Sequence, residues 1–193
     1  MNRRIGAVLV AALMATGCGY NNIQTYDEQA SAAQGQIETQ IQRRADLIPN
    51  LVSTVKGYAQ HEETIFTEVA NARSRLLSAK GGGDPEAMAN ANAQMSGALG
   101  RLLAISENYP QLKADANFRQ LQDELTGTEN RIAVARTDYN DAVRQFNTYI
   151  RQFPITLTAK VTGAKQRKYF EVTDPAMRGG PPPVDFSKPA AKP

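Results

Sequence analysis

Three groups of residues in this chain have types and spacings that could do chemistry. The first is Cys18, the only cysteine, preceded by Arg3-Arg4, an apolar run over residues 5–14 and the small residues Ala15-Thr16-Gly17. A basic start, a short apolar stretch and small residues before a cleavage point make a secretory signal. A cysteine at that junction is a lipid acceptor, whose thiol takes a diacylglyceryl group and whose new amine takes an acyl chain. The second group is His61-Glu62-Glu63. It invites a metal, but a metal site wants three or four protein ligands and His61 is the only histidine. Glu62 is therefore read as a seam residue pairing with Arg43, Arg44, Arg131 or Arg136, a partly buried pair that sets register. The third group is polar: Asp46, Asn50, Glu107, Asn108, Glu124, Asn130 and Arg131, with Glu129 beside them. If these converge, they form a recognition surface at one end of the molecule.

The composition narrows what these groups can mean. The chain holds 22 basic and 19 acidic residues, and removing Arg3 and Arg4 with the signal leaves 20 against 19, which is no nucleic-acid footprint. With one cysteine, no disulfide can form within the chain, so an exported domain must rely on its packed core. The sequence has no phosphate-cradling glycine loop, no nucleophile elbow and no repeated Glu-x-x-His pair. An enzyme using Glu62 or Glu124 as a base would lack both a nucleophile and a second group of opposed role. No catalytic residue, metal or cofactor is expected.

The elements that must position these residues are helices. Phe118, Leu125, Ile132, Tyr139, Phe146 and Phe153 recur every seventh position, and Leu121, Ala135, Ala142 and Tyr149 follow three residues on, with Thr128 the polar member. This is a long seam on one face of a helix over residues 118–153. Leu51, Val55, Tyr58, Ile65, Val69, Ala72 and Leu76 predict a second helix between Pro49 and Lys80. Met88, Asn92, Met95, Leu99, Leu102 and Ser106 predict a third of small residues, and Ile23, Ala30, Ala33, Ile37, Ile41 and Arg44 a first. Gly81-Gly82-Gly83-Asp84-Pro85 reads as a stop, an N-cap and a first helical position. Tyr109-Pro110 should end the third helix. Ile48-Pro49 either separates two helices or kinks one, and Asp46 could cap the second. Short connections between long amphipathic helices favour an all-α, antiparallel up-and-down bundle of four long helices. After Pro154 the periodicity stops, and seven of the ten prolines lie from Pro154 onward. The expected order is a lipoprotein signal over 1–17, a lipidated tether over 18–22, the bundle over 23–153, an extension packed on or near it over 154–173, and a disordered tail over 174–193.

The blocks Arg43-Arg44-Ala45-Asp46-Leu47-Ile48-Pro49-Asn50-Leu51-Val52, Val55-Lys56-Gly57-Tyr58-Ala59, Glu107-Asn108-Tyr109-Pro110 and Gly127-Thr128-Glu129-Asn130-Arg131-Ile132-Ala133-Val134-Ala135-Arg136, with Phe153-Pro154 and Val184-Asp185-Phe186, resemble the LemA family over nearly the whole mature chain. The resemblance implies a membrane-tethered extracytoplasmic bundle of four long antiparallel helices without established catalytic activity, and a partner among exported proteins of the TPM-domain type. Many members are held by an uncleaved N-terminal helix. This chain departs from them in its shorter apolar run and Cys18, and Gly19 stands where an inner-membrane retention signal would have Asp. The resulting expectation is a lipid-anchored scaffold or adaptor, periplasmic-facing and on the outer membrane in a two-membrane bacterium. The alternative is an envelope sensor holding a small ligand between helices.

Overall fold

The computed structural model describes residues 2–174, with side chains from Gly19 onward; the proline-rich stretch read as a tail lies, apart from Asp174, outside the described residues. All regular structure among them is helical. In chain order the elements are α1 (Asn2–Lys56), α2 (Glu63–Gly82), α3 (Pro85–Ile105), a 3-10 turn (Ser106–Asn108), α4 (Pro110–Ala114), α5 (Ala116–Tyr149) and α6 (Ile155–Thr162). There are thus six α-helices where four were expected. The two extra ones, α4 and α6, are short and flank α5.

The long helices run alternately up and down. Tyr58 at the end of α1 donates to Asp115 at the start of α5 at 2.9 Å, while Asn22 near the other end of α1 donates to Tyr149 at 3.2 Å, so α1 and α5 are antiparallel. Their contact rests on two seven-residue rows. On α5, Phe118, Leu125, Ile132, Tyr139 and Phe146 are all buried, and on α1 so are Ile23, Ala30, Ile37, Arg44 and Leu51. Phe153, the next in its row, is 82% exposed, because α5 ends at Tyr149 and the helical period no longer carries it to the seam.

Of the two readings of Ile48-Pro49, the structure takes the single helix: α1 runs on through Pro49, so no helix starts there and Asp46 is not a cap. Leu51 and Val55 belong to α1, and the break falls at residues 57–62. A proline inside a helix removes the bond to the carbonyl four residues back, here that of Ala45. Arg73 on α2 supplies the missing donor, its Nε lying 2.7 Å from the Ala45 oxygen. The next break follows the expected chemistry: Gly83 takes φ +67° and closes α2 onto the Lys80 carbonyl, and Asp84 accepts from the Glu86 amide ahead of Pro85. The third break is shifted. α3 stops at Ile105, and Pro110 opens α4 rather than merely ending α3.

The hairpin of α2 and α3 covers only part of the α1–α5 pair. Its turn meets α1 where Gln34 donates to the Gly83 carbonyl at 3.1 Å, leaving α1 from Gly19 to Gln34, about 22 Å at 1.5 Å per residue, beyond the hairpin. That stalk has its own small core of Ile23, Phe146, Ile150 and Ala159, with Tyr26, Tyr149 and Ile155 packed on it.

After α6 the chain turns back along the bundle as an extended strap over residues 164–174, held by three asparagine side chains. Asn147 accepts from the Arg167 amide at 2.8 Å and donates to its carbonyl at 2.9 Å. Asn140 does the same for Phe170 at 2.8 and 3.3 Å. Asn90 of α3 accepts from the Thr173 amide at 3.0 Å. The spacing has a geometric reason: seven helical residues rise about 10.5 Å, and three extended residues span about 10 Å. Asn140 and Asn147 therefore face Phe170 and Arg167 in register. Phe170 is buried in the main core, and Tyr139 donates to the Lys168 carbonyl at 2.8 Å. Arg167 also reaches Asp27 at 2.7 Å, and Lys168 reaches Asp84 at 2.8 Å.

Two measurements check this account. Arg73→Met is expected to cost about 1–3 kcal/mol in urea unfolding, the penalty of an unpaired carbonyl. Pro49→Ala restores the local donor, so the same Arg73→Met change in that background should cost distinctly less. Replacing Asn140 and Asn147 together by Ala should lower stability by about 1–3 kcal/mol and speed amide exchange at Arg167 and Phe170 while leaving the α2–α3 amides protected. Equal exchange at both places would show that the strap and the bundle open as one unit.

Candidate functional site

Of the expected site residues, the structure gathers some and disperses others. The far tip of the bundle, opposite the start of α1, is built from residues 57–62 and the segment 106–115, joined by the Tyr58–Asp115 hydrogen bond. Glu62, Glu107 and Asn108 lie there. Glu107 and Asn108 are exposed on the 3-10 turn, and Glu107 accepts from Lys113 at 2.6 Å. The Glu62 carbonyl accepts from the amides of Ile65 and Phe66, but its side chain makes no capping bond. Tyr58, expected in the seam, is exposed at this tip. Its bond to Asp115 raises the phenol above its ordinary range, and the carboxylate, accepting from the Phe118 amide and from Tyr58, is held below its own.

Away from the tip, Glu124 and Arg131 line a groove of about 560 Å³ between α1 and α5 with Arg43 and Arg119. Arg131 is exposed and passes over Gly127. Asp46 lies on another flank of α1, accepting from Gln42 at 2.8 Å, with Gln42 in turn accepting from Lys80 at 2.6 Å. Asn50 and Asn130 are exposed on α1 and α5. The eight polar residues therefore do not form one surface: three sit at the tip and five along the sides. Cys18 falls within the span of α1, ahead of the first described side chain.

The partly buried pair expected between Glu62 and Arg43, Arg44, Arg131 or Arg136 does not involve Glu62: of those cations Arg44 is the buried one, and its partner is Glu129. Arg44, 3% exposed, pairs through Nη1 with Glu129 of α5 and donates to Asn92 of α3 at 2.8 Å. Burial pulls the guanidinium below its ordinary range and Glu129 pulls it back up. Its Nε has no protein hydrogen-bond partner among the described residues. Glu129 also lies 3.4 Å from the Ser96 hydroxyl. Beside this cluster is a cleft of about 280 Å³, lined by Asn92, Ser96, Glu129, Ile132, Arg136 and Phe170 among others. Glu62 could not be the partner because it stands at the N-terminus of α2 at the tip, whereas Arg44 lies near the middle of the α1 seam. The signal was present in the sequence: Arg44 is the one charge in the row 23–30–37–44–51, and Asn92 and Ser96 are one turn apart on α3.

Among the described residues there is no group of three or more His, Cys, Asp or Glu placed to hold a metal ion, and no helix is long and apolar enough to cross a membrane. The architecture defines a class of all-helical protein in which a long antiparallel pair carries a shorter hairpin, with its polar groups at one tip and on its flanks. The chain belongs to the LemA family, whose model matches residues 33–186. It is similar to magnetosome protein MamQ 2 of Paramagnetospirillum magneticum, 31% identical over 191 residues, covering 86% of this chain and 70% of that one. It is also similar to magnetosome protein MamQ of Magnetospirillum gryphiswaldense, 30% identical over 185 residues, covering 84% and 68%.

Glu129→Gln should destabilise the fold by about 1–3 kcal/mol, below the usual range for breaking a buried pair because the Glu129 carboxylate is 46% exposed. Adding Arg44→Met should recover most of that loss in chemical unfolding, since it removes the buried charge. A double variant as unstable as the sum of the singles would show that the two residues act independently.

Proposed function

We propose that this LemA-family protein is a scaffold or adaptor of the cell envelope, tethered through lipid on Cys18 and offering its far tip to a protein partner. The observation that carries the reading is the polarity of α1. The apolar run over residues 5–14 lies at one end of this helix. The polar loops with Tyr58, Glu62, Glu107 and Asn108 lie at the other, about 55 Å beyond Gly19 at 1.5 Å per residue. A membrane-held first end leaves those loops as the most distant surface, free of the packing that occupies the rest. The family resemblance points to an exported protein of the TPM-domain type as the partner, and the Gly19 position favours the periplasmic face of the outer membrane. The reading is non-catalytic.

The cleft beside Glu129 favours a second reading, a sensor for a small ligand. Polar groups converge there on the small residues of α3, which is the pattern such a site needs. Its volume of about 280 Å³ lies just under the range of about 300–1,000 Å³ usual for small-molecule sites, so the adaptor is preferred.

Labelled fatty acid should enter the full-length protein and fail to enter Cys18→Ala; equal labelling of both would remove the tether. Glu107→Lys with Asn108→Lys should leave the unfolding free energy within about 0.5 kcal/mol, as exposed sites do, and should abolish crosslinking to an exported partner in intact cells. Unchanged crosslinking to every partner would remove the tip as the binding end.

A further inference from the structure

The described residues leave six large hydrophobic side chains exposed, and four of them, Tyr20, Phe153, Leu157 and Val161, fall in or beside the stalk, at the end where α1 continues into its apolar run. Phe153, Leu157 and Val161 are 82%, 54% and 89% exposed and stand four residues apart. On α6 that spacing puts Leu157 and Val161 on one face, and Phe153 is exposed in the turn just before the helix. The opposite face of α6 is already used: Ala159 is buried in the stalk core, and Ile155 packs so closely on α1 that a Cβ on Gly19 would lie 2.5 Å from its Cδ1. α6 is therefore fixed beside Gly19, the residue that follows Cys18, with the exposed stripe on its outward face. We propose that this stripe enters an anionic lipid surface, making α6 a second, interfacial membrane contact beside the anchor.

Charge selects lipid over the other occupants. Residues 142–170 contain no Asp or Glu. Of the six cations in that stretch, Arg144 is paired to Asp141, Arg167 to Asp27, and Lys168 to Asp84 and Glu86. Arg151, Lys160 and Lys165 are exposed and have no carboxylate within ion-pair distance among the described residues. An apolar stripe flanked by uncompensated cations is the composition of a segment lying in the headgroup region of an anionic leaflet. A second copy of the chain would bring the same cations against themselves. Three side chains also offer far less than the roughly 800 Å² per partner of a stable protein interface. The inference rests on the proposed tether only in placing the membrane at this end. An uncleaved anchor over residues 5–14 would place it there equally.

The chain has no tryptophan, so Leu157→Trp creates a single reporter, and Val134→Trp, exposed on α5 between the stalk and the tip, is its control. The full-length protein carrying either change is reconstituted in phosphatidylethanolamine–phosphatidylglycerol vesicles with brominated acyl chains. Emission at position 157 should shift to the blue and be quenched at least two-fold, and emission at 134 should do neither. Adding Lys160→Glu and Lys165→Glu should cut the quenching at 157 by half or more without changing the circular-dichroism melt. Protein that floats with the vesicles but is unquenched at 157 overturns the inference and leaves the tether standing. So does a blue shift without quenching, which would mean that protein covers the stripe. Quenching at 157 in a chain that carries no fatty acid on Cys18 removes the lipid tether and supports the stripe. A chain that does not float at all overturns both.

Discussion

The contact between the seven-residue rows of α1 and α5 is the constraint from which the rest of the architecture follows. Both helices are longer than the hairpin of α2 and α3, so one side of their seam is covered by other helices and the remainder is not. A two-helix seam leaves its flanking apolar groups half wet, and most of a helix's stability comes from packing its apolar face. The segment after α5 answers that need. α6 closes the stalk core around Ile23 and Phe146, and the strap brings Phe170 into the main core between α3 and α5. What looks in the sequence like the end of the pattern is the part of the chain that completes it.

Two polar intrusions into this seam are handled alike, by a group from another helix. Pro49 frees the Ala45 carbonyl and Arg73 of α2 fills it; Arg44 buries a guanidinium, and Glu129 of α5 with Asn92 of α3 receive it. Neither arrangement adds much net stability, because desolvation offsets the attraction. Each is instead satisfied at one register of the helices and orphaned at others. A slide of α5 by one turn, about 5.4 Å, would strand the buried charge of Arg44, so the pair selects alignment among packings that the apolar residues alone would allow.

The helical class, the α5 seam and the Gly83-Asp84-Pro85 turn were legible in the sequence because each is written in residues close together along the chain. Pro49 was not, because whether a proline breaks a helix or sits inside it depends on a donor 24 residues away. The polar residues fared similarly. Glu62, Glu107 and Asn108 belong to the two loops that pack together at the tip, so their shared location follows from connectivity. The partner of Arg44 depends on rotation about three helix axes, which one-dimensional spacing does not carry. An extension on or near the bundle was expected over 154–173, but its fastening was not legible, because it lies on the helices: Asn140 and Asn147 mark the track seven residues apart, while residues 164–174 themselves show only an aperiodic run.

The strap also gives the molecule a mechanical direction. It runs antiparallel to α5, from the stalk at Arg167 towards Asn90 at Thr173. Tension applied at Asp174 along the bundle axis, away from the stalk, loads the three asparagine rungs side by side, so they must fail together. Tension applied sideways reaches the Thr173 rung first, then Phe170, then Arg167, and parts them one at a time at much lower force. A body pulling on the C-terminal side of this chain would thus meet a stiff link along the bundle axis and a compliant one across it.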